Sequence, residues 1–277
     1  MPYCAEISRS NSAAFLFLID QSGSMSDKLP SERTKAQFVA DVFNRTLATL
    51  ITRCTKAEGT RDYFDIGVIG YSSNGICNAL HGQLTASLLN SISAIEAAPL
   101  RIEDRRRKVD DGAGGIVEQS ILFPVWLEPL AAGGTPMCEA IRQAAEALVT
   151  WCDRHPNSYP PTVLHITDGE STDGDPEMLA QQLQQIHTGD GGVLVFNLHV
   201  SAASTDAIKF PASDGLLPDA FAKLLFRMSS HLPPHLVQVV QDKGYPVGLE
   251  SRGFMFNADA PEIADFFDIG TRAAQLR

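Results

Sequence analysis

The residues best suited to chemistry in this chain are oxygen donors at the ends of apolar runs. Ala13 to Ile19 is apolar and closes on Asp20-Gln21-Ser22-Gly23-Ser24. Thr162 to Thr167 closes on Asp168-Gly169-Glu170. Between them lies Gly133-Gly134-Thr135-Pro136, a flexible turn that runs into a helix. Alternate residues of an extended segment point the same way, so Asp20, Ser22 and Ser24 converge on one point. Together with Thr135 and Asp168 they offer two carboxylates and three hydroxyls, all hard oxygen ligands. That donor set suits Mg2+, with Mn2+ or Ca2+ as substitutes, and not a soft metal.

The bland readings of the same residues compete. Asp-x-Ser-x-Ser on its own also describes a turn after a strand. Thr135 before Pro136 is a good helix N-cap. Glu170, Asp173 and Asp175 read as a solvated loop and a cap. His165, inside an apolar strand, reads as a satisfied core histidine. No G-x-S-x-G elbow, no phosphate-binding G-x-x-x-x-G-K-[ST] loop and no H-E-x-x-H pair occurs in the sequence. Nor do the serines bring a nucleophile–base pair with them. The expectation is a binding protein rather than an enzyme. The alternative is a Mg-dependent hydrolase or phosphotransferase acting at the same residues.

The elements that position these residues follow from periodicity. Ala13 to Ile19, Tyr63 to Tyr71, Thr162 to Thr167 and Val193 to Val200 are apolar on both faces, as buried parallel strands are. Gly253 to Phe256 reads as a final or edge strand. Helical spacing links Ala36, Val39, Phe43, Leu47 and Leu50, and again Met137, Ile141, Ala144, Leu148 and Cys152. Asp175-Pro176, Pro218 and Pro261 open three more helices. The alternation predicts an α/β fold with a mostly parallel central sheet. Residues 77–129 break the rhythm and are read as an insertion holding one sheet strand and an exposed loop, with a Gly-rich turn at Gly112 to Gly115. Within it, Arg105, Arg106, Arg107 and Lys108 form a basic run beside Glu103, Asp104, Asp110 and Asp111. A solvated mixed-charge loop is the bland reading, and a docking patch for an acidic partner the sharp one. The whole of 1–277 is read as one domain, with a core from about 13 to 270.

Bulk properties bound the rest. The formal net charge of −11 over 277 residues argues against nucleic acid, whose phosphates need clustered Lys and Arg. The 5 cysteines form no C-x-x-C pair. Free thiols, and the lack of a leader or an apolar run of membrane length, predict a cytoplasmic protein with no membrane partner.

Asp20-x-Ser22-x-Ser24, the later Thr135 and Asp168-Gly169 resemble the five elements of the metal-ion-dependent adhesion site (MIDAS) of von Willebrand factor A (VWA) domains. The likeness extends over about Ala13 to Val200. It implies a Rossmann-like three-layer α/β/α VWA fold. It also implies a bound divalent cation, with Ser22, Ser24 and Thr135 as close ligands and Asp20 and Asp168 as anionic support. The function implied is metal-dependent binding of a protein partner through its carboxylate or phosphate. A resemblance to bacterial stand-alone VWA proteins implies a regulatory or scaffold role beside a kinase, phosphatase or ATPase.

Overall fold

The computed structural model describes residues 2–110, 115–201 and 206–272, with only the backbone at 107–110, 116 and 117. The first strand, β1 (Ala13–Asp20), is buried along its whole length and sits mid-sheet. It pairs in parallel with β2 (Phe64–Ser72), which carries β3 (Gly75–Asn78) and β4 (Leu89–Ser91) on its outer edge, both antiparallel. Next in the chain comes a separate hairpin of β5 (Arg101–Asp110) and β6 (Ile116–Val125). On its other side β1 pairs in parallel with β7 (Thr162–Thr167), and β7 with β8 (Leu194–His199). The antiparallel strand β9 (Ile208–Lys209) then flanks β10 (Phe254–Phe256), which is parallel to β8. The sheet has 8 strands.

Pleat alternation divides the core in two. Phe15, Phe17 and Ile19 of β1 face one side, with α1 (Lys35–Cys54), α2 (Ile92–Ala97), α6 (Pro234–Asp242) and α7 (Ala260–Gly270). Leu16 and Leu18 face the other, with α3 (Met137–Arg154), α4 (Glu177–Leu183) and α5 (Ala220–Met228). Local signals start several helices. Thr34 and Gln37 form a capping box on α1, and Asp259 and Glu262 another on α7. Asp219, not Pro218, caps α5.

The expected mostly parallel, Rossmann-like VWA sheet is corrected to a mixed one. Among the described strands of the sheet 4 pairings are parallel and 3 antiparallel, and the separate hairpins add further antiparallel pairs. The physical reason is connection length. A parallel pair needs a long crossover, whereas the tight turn between Ser72 and Gly75 forces β3 back antiparallel. β3 is short, and Gly75 and Cys77 on it are exposed, so it lacked the apolar run by which the central strands were read.

Residues 77–129 also differ from expectation. They contribute to two sheet strands, β3 and β4, and their basic run is strand rather than loop. Arg105 stacks 3.7 Å from the Phe123 ring centre and donates to Asp41 of α1. That pairing pins the hairpin to the body. Ile102 and Leu122 stay exposed. Most of the expected Gly-rich turn, 112–114, lies outside the described residues. Helix α6, which opens at Pro233-Pro234, was not anticipated.

Candidate functional site

Because β1 and β7 are parallel neighbours, their carboxyl ends emerge side by side, where ligands meet open α/β sheets. Asp20 is buried there. Its Oδ1 accepts from the Ser22 amide at 2.8 Å, and its Oδ2 accepts from the Thr167 hydroxyl at 2.6 Å. Burial pushes the Asp20 carboxyl up to about 6, against the pull of these hydrogen bonds, and the nearby Asp168 charge adds to the rise. The Ser22 and Ser24 hydroxyls lie 3.0 Å apart, Ser22 buried and Ser24 exposed.

The loop bearing Thr135 is docked onto the first one by backbone. The Gly23 amide donates to the Gly133 carbonyl at 2.7 Å, and the Ala132 amide to the Gln21 carbonyl at 2.7 Å. The approach is close enough that a Cβ on Gly23 would stand 3.3 Å from the Gly133 oxygen. Gly169, after Asp168, adopts a left-handed φ of 98°, a conformation that side chains other than glycine rarely take.

Thr135 does not cap α3 as its place before Pro136 suggested. The cap comes from far along the chain: Asp173 accepts from the amides of Cys138 and Glu139, each at 2.9 Å. Thr135 is buried, and its hydroxyl makes no hydrogen bond among the described residues. Its free hydroxyl, the Ser22–Ser24 pair and the two Asp carboxylates fit a hard cation by donor type.

Three further residues belong to this edge and were not foreseen. Lys35, the first residue of α1, is buried and reaches Asp168 Oδ2 and Asp27 Oδ2 at 3.3 Å each. Thr167 anchors Asp20. His199, at the end of β8, is buried with its Nδ1 unpartnered, and burial lowers its pKa. Of the three only Thr167 left a trace in the sequence, as a polar residue closing an apolar strand. Beside His199 a cavity of 420 Å³ opens, walled by Leu29, Phe38, Val200 and Ile263. His165 is locked between the Tyr71 hydroxyl (2.6 Å) and Asn197 Oδ1 (2.8 Å), and burial lowers its pKa to about 4.

Comparison with known proteins gives a class of fold first. No family model matches the chain, and no curated protein matches it. Three similar solved structures are pilus proteins. One is the pilus adhesin SpaC of Lactobacillus rhamnosus GG, at 13% identity and a TM-score of 0.51, covering 95% of this chain and 31% of that one. Two others are three N-terminal domains of the type V pili tip protein Mfa5 of Porphyromonas gingivalis and the adhesive tip pilin GBS104 of Group B Streptococcus agalactiae. Both are 13% identical, with TM-scores of 0.31 and 0.27, too low to carry an argument. They cover 86% and 87% of this chain, and 29% and 74% of their own. The chain thus spans about a third of the adhesin whose fold it shares.

These findings correct several expectations. Membership of the VWA family is not carried: no family model matches, and the structure whose fold this chain shares is described as a pilus adhesin. The regulatory or scaffold role beside a kinase, phosphatase or ATPase falls with it, as does the hydrolase or phosphotransferase alternative. The label MIDAS is corrected too. Among the described residues no group of three or more His, Cys, Asp or Glu could hold a metal ion, and Asp168 is paired with Lys35. The cytoplasmic placement is withdrawn, since the structure whose fold this chain shares is a pilus adhesin. Free thiols and the lack of an apolar span had suggested it, but neither feature decides a compartment. The protein whose fold this chain shares is an adhesin.

Proposed function

We propose that this chain is a non-catalytic, surface-displayed binding domain of the adhesive kind, and that its ligand meets it at the carboxyl ends of β1 and β7. The observation that carries this reading is the meeting of Asp20, Ser22, Ser24 and Asp168 at one sheet edge, with the Thr135 loop docked on them. The fold shared with a pilus adhesin over nearly the whole chain supports it. So does the chemistry of the edge. The Ser22 and Ser24 hydroxyls bond each other, and among the described residues no histidine reaches either of them. His165 is neutral and fully engaged elsewhere. A serine with no base is a poor nucleophile but a good oxygen donor.

Asp20, Ser22, Ser24, Thr135 and Asp168 are the residues assigned to this contact. A divalent cation, Mg2+ with Mn2+ or Ca2+ as substitutes, is the group their donor set would hold. Such an ion supplies a positive centre for a carboxylate or phosphate oxygen of a protein ligand. The chain's own part is to hold Asp20 by two hydrogen bonds, to keep the Thr135 hydroxyl free and to fix the loops by backbone contact.

The test is binding to surfaces coated with poly-L-glutamate, a phosphoserine peptide or poly-L-lysine, in Mg2+ and in EDTA. Wild type should hold to an anionic surface in Mg2+, and Ser22→Ala and Thr135→Val should lose that hold while staying folded. Binding that is equal in all three proteins would overturn the assignment.

A further inference from the structure

Lys35 is an unusual neighbour for a cluster of oxygen donors. Its ammonium is almost wholly buried, with 6% of the side chain exposed, and it lies 3.3 Å from an Asp168 carboxylate that is 10% exposed. A buried charge is tolerated only when it is paired, so each group compensates the other there. The same ammonium lies 3.3 Å from Asp27, whose side chain is 57% exposed. Asp27 sits on the loop between the Ser22–Ser24 turn and α1, and its carbonyl accepts from the Lys35 amide at 2.9 Å. One cation is therefore shared between a carboxylate of the candidate site and a carboxylate outside it.

We infer that Lys35 is a built-in counter-ion that competes with a divalent cation for Asp168 and passes to Asp27 when the cation binds. The inference rests on the cation reading of the preceding subsection and names how that site is regulated. Two positive charges on one buried carboxylate repel each other. A cation at Asp168 displaces the ammonium, and Asp27 keeps it paired without unfolding the loop. The site's affinity is thereby held below what its oxygen donors alone would give. The ion pair keeps Asp168 compensated while no metal is present.

The competition has a signature in variants. Lys35→Met keeps an apolar stem of similar length and removes the charge, so Mn2+ and Mg2+ should bind at least tenfold tighter. Asp27→Asn removes the place to which the ammonium retreats, so affinity should fall several-fold. In the Lys35→Met background Asp27→Asn should change little, because no ammonium is left to shelter. This non-additivity separates a shared ammonium from a general loss of negative charge.

The measurement is isothermal titration calorimetry of MnCl2 into the full chain, with the Mn2+-induced rise in melting temperature as a second readout. Wild-type binding together with the three shifts above supports the competition. Wild-type binding with Lys35→Met no tighter than wild type overturns it and leaves the cation reading standing. No Mn2+ binding by any variant overturns both. Should Lys35→Met fold poorly, Asp27→Asn alone decides, since unchanged affinity there contradicts the proposed retreat.

Discussion

Asp20 offers the sharpest test of what sets the electrostatics of the sheet edge. It accepts two hydrogen bonds, which favour its charged form, yet burial prevails and its carboxyl rises from 3.8 to about 6. The folded chain therefore holds this proton more tightly than the unfolded chain does. Stability falls as pH climbs from about 4 to about 6 and stays reduced above that. At about 1.4 kcal/mol per pH unit, ionised Asp20 costs the metal-free protein about 3 kcal/mol at neutral pH. Asp20→Asn keeps the shape and cannot ionise. In EDTA the variant should be more stable than wild type by about 3 kcal/mol at pH 7.5, and by about 1 kcal/mol at pH 4.5. Urea unfolding at the two pH values reads the difference. An Asn variant less stable than wild type by the same amount at both would show that the Thr167 and Ser22 hydrogen bonds outweigh desolvation. The burial argument would then be wrong.

Other expectations follow from the same geometry. Asp173→Ala removes the acceptor of two α3 amides and should cost about 1–2 kcal/mol in urea unfolding. Thr135→Val, whose hydroxyl bonds nothing among the described residues, should cost well under that, and the reverse order would contradict the cap assignment. His165, locked between Tyr71 and Asn197, should show a neutral ring by NMR at pH 5, and a titration near its ordinary value would refute its burial. Arg105→Ala removes both the Asp41 ion pair and the stack on Phe123. Trypsin should then cut the β5–β6 hairpin several-fold faster with the global melting temperature little changed.

The sequence was most readable where burial was total. β1, β2, β7 and β8 announce themselves because a strand covered on both faces has no polar alternation to confuse the reading. The meeting of Asp20 with Ser22 and Ser24 was legible for a local reason, alternation over five residues. Edge strands were not legible, since β3 and β4 are short and partly exposed, and the hairpin carries its charges on strand rather than loop. Lys35 was invisible for a different reason. Its partner Asp168 is 133 positions away, and nothing in a Thr-Lys-Ala start to a helix announces a buried ammonium. Asp173 was placed correctly in a polar loop, but the Cys138 amide it caps lies 35 residues earlier. Long-range polar pairing leaves no periodic trace.

Lys35 is also the first residue of α1, a helix of 20 residues. A rod of that length reaches roughly 30 Å. At its remote end Arg53 grips Asp268 of the last helix. One helix therefore joins the buried ammonium of the candidate site to the ion-paired cluster around Asp268.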